Sequence, residues 1–226
     1  IFDRSKMQQP KPASLVPVPD FWTDKLSNGI NLIGVSNNEI PKVNILISLK
    51  AGHRFEPKEK AGISGMLASL MDESTLQHSA EDIEKMLDKL GSSISIGSGS
   101  EEFQISISCL KSNLDATLKI AEEKIFSPKF DKEDYELVKK DQLDGLAQQQ
   151  TSAATIASLI YSKLIYGADH IMGINGSGTP ETVNAISLDD IKNFYNGLYS
   201  NETSIAISGD VKKEEVLAKL GFMNKL

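Results

Sequence analysis

Residues 41–71 read PKVNILISLKAGHRFEPKEKAGISGMLASLM, and the change of period inside this stretch decides the fold. Val43, Ile45, Ile47 and Leu49 alternate with Asn44 and Ser48, the period-2 pattern of a strand with one wetter face. Further on, Ile63, Met66, Leu67, Leu70 and Met71 fall at i, i+3, i+4, i+7 and i+8, which predicts an amphipathic helix. Upstream, Phe21 to Leu26 and Ile30 to Val35 flank Ser27-Asn28-Gly29, and Asn-Gly between two apolar runs is a strong hairpin signal. Downstream, Ser79 with Asp82 predicts a capped helix carrying Ile83, Met86, Leu87 and Leu90 and ended by Gly91.

The rest of the chain repeats this division into strand runs and helix runs. Ser93 to Ile96 and Phe103 to Cys109 alternate about Gly97-Ser98-Gly99-Ser100 and read as a second hairpin. Ser112 reads as the cap of a helix with Leu114, Leu118, Ala121 and Ile125, followed by a charged helix from about Lys132 to Gln150. A further helix holds Ile156, Leu159, Ile160 and Leu164, and Ser187 with Asp190 opens another. Thr203 to Ile207 is a last strand before a short helix from Lys212 to Leu220. Adjacent strands joined by tight turns pair antiparallel, so the order predicts an α+β fold: a five- to six-stranded, mainly antiparallel sheet with helices packed on one face.

Composition narrows the function classes. The 226 residues are 40% hydrophobic and 24% charged, with a net charge of −7 and no block of like charge, so nothing offers the cationic field that nucleic acid requires. No apolar run approaches the ~20 residues of a membrane helix. Cys109 is the only cysteine, which removes a disulfide framework and a cysteine-rich zinc cage. Its place among alternating apolar strand residues predicts burial. Pro10, Pro12, Pro17 and Pro19 mark residues 1–20 as an extended linker, leaving 21–226 as one domain. A start at Ile1 with no signal segment reads as a piece of a longer protein.

Among chemistry-bearing residues, His53, His78 and His170 have no spacing that puts two on one helix face, and they read as single surface histidines. An enzyme of unrelated chemistry built on His53 or His170 is the weakest reading. Gly173 to Pro180 is Gly-rich but lacks the Gly-Lys-Ser/Thr ending of a phosphate loop. Asp72-Glu73 and Asp189-Asp190 are adjacent pairs whose side chains diverge along a helix.

An ordered set of short pieces carries a family resemblance. Leu26-Ser27-Asn28-Gly29, Ile40-Pro41, Ala51-Gly52-His53-Arg54-Phe55-Glu56-Pro57, Ala61-Gly62-Ile63-Ser64 and Glu73-Ser74-Thr75 come first. Ser79-Ala80-Glu81, Lys89-Leu90-Gly91-Ser92, Pro128-Lys129-Phe130, Tyr166-Gly167, Gly178-Thr179-Pro180 and Ser208-Gly209-Asp210-Val211 follow. From about Phe21 onward the chain resembles the pitrilysin/insulinase family of zinc metallopeptidases, whose metallopeptidase-like α/β roll agrees with the fold read above.

The resemblance implies an inverted His-x-x-Glu-His motif, two zinc ligands and a catalytic glutamate, on the helix after Ala61-Gly62-Ile63-Ser64. Those positions read Gly65, Ala68 and Ser69, which share one helix face but offer neither imidazole nor carboxylate. The implied third ligand, a glutamate on a later long helix, is also missing, since the corresponding region reads Lys140-Asp141-Gln142-Leu143-Asp144. Packing of small residues against a sheet is the plain alternative account of Gly65, Ala68 and Ser69.

The chain alone is therefore expected to be inactive and metal-free. By resemblance, zinc belongs to a partner half or subunit, and this domain completes the chamber in which peptide is cleaved. The resemblance also makes the strand after Leu90-Gly91-Ser92 a sheet edge that receives extended peptide, which points to Ser93, Ile94, Ser95 and Ile96 as substrate-binding. A zinc-free scaffold or peptide-binding module in a larger assembly is the alternative. A cell-envelope or periplasmic location rests on analogy alone.

Overall fold

The computed structural model describes residues 18–198 and 202–226. Most of the expected Pro-rich linker lies outside them, and Val18 to Asp20 are exposed and without regular structure. Strands β1 (Trp22–Lys25) and β2 (Asn31–Ser36) pair antiparallel around the Asn-Gly turn, where Gly29 takes a φ of 91° that favours glycine. Next come β3 (Lys42–Leu49), α1 (Ile63–Asp72), α2 (Ala80–Leu90), β4 (Ser93–Ser98) and β5 (Phe103–Leu110). The helices α3 (Leu114–Phe126), α4 (Lys132–Gln149), α5 (Ala153–Tyr166), α6 (Pro180–Ala185) and α7 (Leu188–Leu198) precede β6 (Thr203–Gly209) and α8 (Lys213–Lys219).

The six strands form one sheet in the order β1-β2-β6-β3-β5-β4. All pairs are antiparallel except β2–β6, because β6 returns after the helices and inserts between β2 and β3. The alternation then sorts the faces. Val43, Ile45, Ile47 and Leu49, with Phe103, Ile105, Ile107 and Cys109, are buried beneath the helices, whereas Asn44, Gln104, Ser106, Ser204 and Ala206 face outward. Each fully buried Ile, Leu or Phe contributes about 1.5–3 kcal/mol, so this face is the main source of stability.

Helix ends follow their sequence signals in most places. Ser79 accepts from the Asp82 N–H at 3.2 Å, Gly91 ends α2 with a φ of 55°, and Ser187 and Asp190 cap α7 reciprocally. At α3 the expected cap is displaced: Ser112 lies inside a 3-10 turn, Lys111–Asn113, and Asn113 holds the cap position without a side-chain cap bond. Thr179 caps α6 in a box with Thr182, a short helix not anticipated between the Gly-rich loop and Ser187. Helix α5 departs from the packing rule. None of its residues is buried, and Ile160, Tyr161, Ile165 and Tyr166 are each more than half exposed, with Leu164 at 79%.

Candidate functional site

The start of α1 is built from a glycine clasp and a buried ion pair. Gly62 (φ 98°) and Gly178 (φ 81°) place their backbones against each other's segments. A Cβ at Gly178 would sit 2.3 Å from the Ala61 carbonyl oxygen, and one at Gly62 would sit 2.8 Å from that of Ser177. Thr182 Oγ1 donates to the Ala61 carbonyl at 2.8 Å and ties α6 to the residues that lead into α1. Because Gly62 at the N-cap supplies no side-chain acceptor, the buried carboxylate of Glu56 does so. It accepts the N–H groups of Gly62 and Ser64, each at 2.8 Å, and the Ser64 hydroxyl.

Glu56 also accepts from His53 Nδ1 at 2.7 Å, while His53 Nε2 donates to the carbonyls of Ile171 at 2.9 Å and Ile174 at 3.2 Å. Both ring nitrogens face acceptors, which assigns the doubly protonated imidazolium. Burial works against that charge, but the hydrogen bond and charge of Glu56 and the two carbonyls outweigh it and raise the His53 pKa above 6.5. His53 is thus a buried tie between α1 and the 171–174 turn and not the surface histidine expected from sequence; it is 6% exposed. With both nitrogens engaged, it has none left for a metal or for proton abstraction.

Beside this tie lies a polar cleft of about 420 Å³. Gly65, Ala68 and Ser69 line it from α1, Gln142 from α4, Ile96 to Ser100 from the end of β4 and its turn, and Asn175 to Ser177 from the clasped loop. The fold therefore brings together the motif positions on α1 and a residue of the 140–144 region, two segments far apart in the chain. A Cβ at Gly65 would meet nothing within 4 Å, so this glycine faces open space and is not required by tight packing against the sheet. Gln142 Nε2 donates to the Ser177 carbonyl at 2.7 Å, and Asn175 Nδ2 to Gln149 Oε1 at 2.7 Å.

A zinc ion requires imidazole, thiolate or carboxylate donors, usually three from the protein at a catalytic site. Glycine, alanine, a serine hydroxyl and a glutamine amide do not fit it. Among the described residues no group of three or more His, Cys, Asp or Glu side chains is arranged to hold a metal.

The other candidates are dispersed. His78 Nδ1 meets Glu123 at 3.0 Å, His170 stacks on Tyr166 at 5.8 Å, and Cys109 is buried, which pushes its thiol pKa up. Strand β4 is an edge of the sheet, so among the described residues one side of Ser93, Ile94, Ser95 and Ile96 has no strand partner, and its Ile96 end adjoins the cleft. Sequence reasoning missed Glu56 as the cap of α1 and Asn175 to Ser177 as a cleft wall. Glu56, six residues before a glycine that offers no cap of its own, was a local signal for the first, whereas the second depends on a long-range clasp.

Residues 32–164 match the insulinase family, peptidase family M16. A non-peptidase homologue, YmxG of Helicobacter pylori, is 24% identical over 192 residues, covering 84% of this chain and 44% of that protein. The uncharacterised zinc protease YmxG of Bacillus subtilis is 22% identical over 81% of this chain and 45% of its own length. Among solved structures, an inactive M16 peptidase domain from Pseudomonas fluorescens superposes with a TM-score of 0.84 at 19% identity, over 91% of this chain and 50% of that one. The first half of the periplasmic protease PqqL of Escherichia coli gives 0.80 at 18% identity, over 94% and 48%. This chain spans about half the length of the curated relatives it matches. No helix among the described residues is long and apolar enough to cross a membrane. The sheet order of an open six-stranded α+β domain, the ordered sequence pieces and these matches agree: the chain belongs to the insulinase family, peptidase family M16, as a domain with no metal-binding group among its described residues.

Proposed function

We propose that this domain is the non-catalytic part of a two-part zinc metalloendopeptidase, where it completes the peptide chamber while a partner half or subunit carries the zinc. The observation that carries the reading is the cleft itself: Gly65, Ala68, Ser69 and Gln142 converge as a metal site would, yet none can serve as its ligand. A surface for the partner half also exists. Helix α5 leaves Ile160, Tyr161, Leu164, Ile165 and Tyr166 uncovered, more apolar surface than an isolated helix face normally exposes to water.

Extended peptide would add to β4 at Ser93 to Ile96 through main-chain hydrogen bonds, with the cleft taking the side chains that follow Ile96. Amide exchange in the complete protein tests this contact. Excess unfolded peptide is expected to slow exchange at Ser93 to Ile96, and unchanged exchange there removes the peptide role. Zinc analysis tests the division of labour: the complete protein is expected to hold zinc and cleave peptides, with both lost on chelation.

The second reading is a zinc-free scaffold, and the Helicobacter pylori relative named a non-peptidase homologue favours it. A His-x-x-Glu-His motif in the remainder of the polypeptide or in a neighbouring subunit decides for the peptidase. Its absence from both decides for the scaffold.

A further inference from the structure

On the outer side of the helical layer, α2 and α3 enclose a cavity of about 730 Å³, within the range of pockets that bury a small ligand. Its floor is apolar: Met86 and Leu90 from α2 face Ile120 and Phe126 from α3. The span from Ala116 to Phe126 along α3 gives it a length of roughly 15 Å at the helical rise per residue.

Charge is distributed unequally along this floor. Asn113 Nδ2 donates to the Leu90 carbonyl at 2.7 Å and Ser92 Oγ meets Thr117 Oγ1 at 2.8 Å, so the end of α2 is tied to the beginning of α3. Lys89 and Lys119 therefore stand at the same end of the cavity, both exposed. Neither forms an ion pair with any described residue. The two carboxylates of the lining are already engaged: Glu123 accepts from Thr75 and meets His78, and Glu122 is 2.5 Å from Lys225, whose ammonium lies over the Phe126 ring. Two cations that form no ion pair, on an apolar trough whose carboxylates are held by other partners, stand out on a chain of net charge −7.

We propose that this cavity binds a monomeric aliphatic carboxylate, a fatty-acid-type anion, with its head group between Lys89 and Lys119 and its chain along Met86, Leu90, Ile120 and Phe126. Burial of the methylenes supplies the affinity, and the lysines select an anionic head and set its direction in the trough. The site shares no lining residue with the polar cleft and does not depend on the peptidase reading.

Calorimetric titration of the complete protein with decanoate, kept below its micelle concentration, tests the assignment. One decanoate per chain is expected. Affinity should fall about tenfold in a Lys89→Gln/Lys119→Gln variant and similarly for the neutral analogue decanol, which follows from losing about 1.4 kcal/mol of charge-assisted contact. Both lysines are exposed, so the variant keeps its fold, and Lys132→Gln/Lys140→Gln on α4 controls for general charge and should bind as the parent does. No saturable binding, the result that a trough covered by the second half of the protein would also give, overturns the proposal. Equal affinity of the Lys89/Lys119 variant, or of decanol, overturns it as well.

Discussion

Replacing Glu56 with glutamine is the sharpest test of how the cleft is held. The Glu56 side chain is fully enclosed, at 0% exposure, and takes donors from His53, Gly62 and both the N–H and hydroxyl of Ser64. Glutamine keeps one oxygen and turns the other into an NH₂ group that faces donors. Two hydrogen bonds to a charged acceptor, each worth about 1.5–3 kcal/mol, are then lost. Removing one partner from a buried ion pair costs about 3–5 kcal/mol by an independent route. The two agree on roughly 4 kcal/mol, a large fraction of the ~5–15 kcal/mol that a domain possesses.

The pH dependence carries a sign. His53 has its folded pKa raised above 6.5, so the pair's contribution is complete below pH 6.5 and is lost as pH rises through the folded value. In Glu56→Gln, burial acts on His53 against only the Ile171 and Ile174 carbonyls, so its folded pKa falls relative to the parent and the variant loses less stability than the parent as pH rises. Urea unfolding of parent and variant at pH 5.5 and 8.5 should therefore show a gap that narrows at the higher pH. A His53→Gln/Glu56→Gln double variant should recover part of the loss, because it leaves no unpaired buried charge. A gap under about 1 kcal/mol at pH 5.5, or one that widens with pH, refutes the ion-pair account.

Two further outcomes follow from the cleft and its surroundings. Introducing Gly65→His, Ala68→Glu, Ser69→His and Gln142→Glu together should create zinc binding near one ion per chain after dialysis, measured by elemental analysis, since Gly65 has free space in front of it. Asp190, held at a pKa of about 2 first by Lys60 and then by Ser187, stabilises α7 above the ordinary carboxylate range, and that contribution disappears as pH falls through about 2. Asp190→Asn should accordingly lower the thermal midpoint at pH 6 and converge with the parent near pH 2.

The sheet and most helices were legible because single patterns specify them. Val43 to Leu49 and Phe103 to Cys109 declare their buried face by alternation, and Asn28-Gly29 declares its hairpin. The place of β6 was not legible, since a strand's neighbours depend on contacts with residues more than a hundred positions away. The shared face of Gly65, Ala68 and Ser69 could be read because helical spacing defines it. The cleft's opposite wall could not: Gln142 and Asn175 reach it only through the crossing of α1 with α4 and the clasp at Gly178. His53 misled for a related reason. Its burial is set by the carbonyls of Ile171 and Ile174, which nothing near residue 53 reveals.

How the cleft keeps its shape follows from where the domain's stability resides. Gly65 and Ser69 lie at the wall of the cleft, whereas Ala68, between them on the same face, is buried in the core. The geometry is instead imposed from behind, by Glu56 capping α1, by His53 tying the 171–174 turn and by two glycines interlocking Ala61 with Gly178. None of these groups would be consumed by a metal. The side chains at Gly65 and Ser69 can therefore change on this scaffold while α1, α4 and the edge of β4 keep their mutual positions.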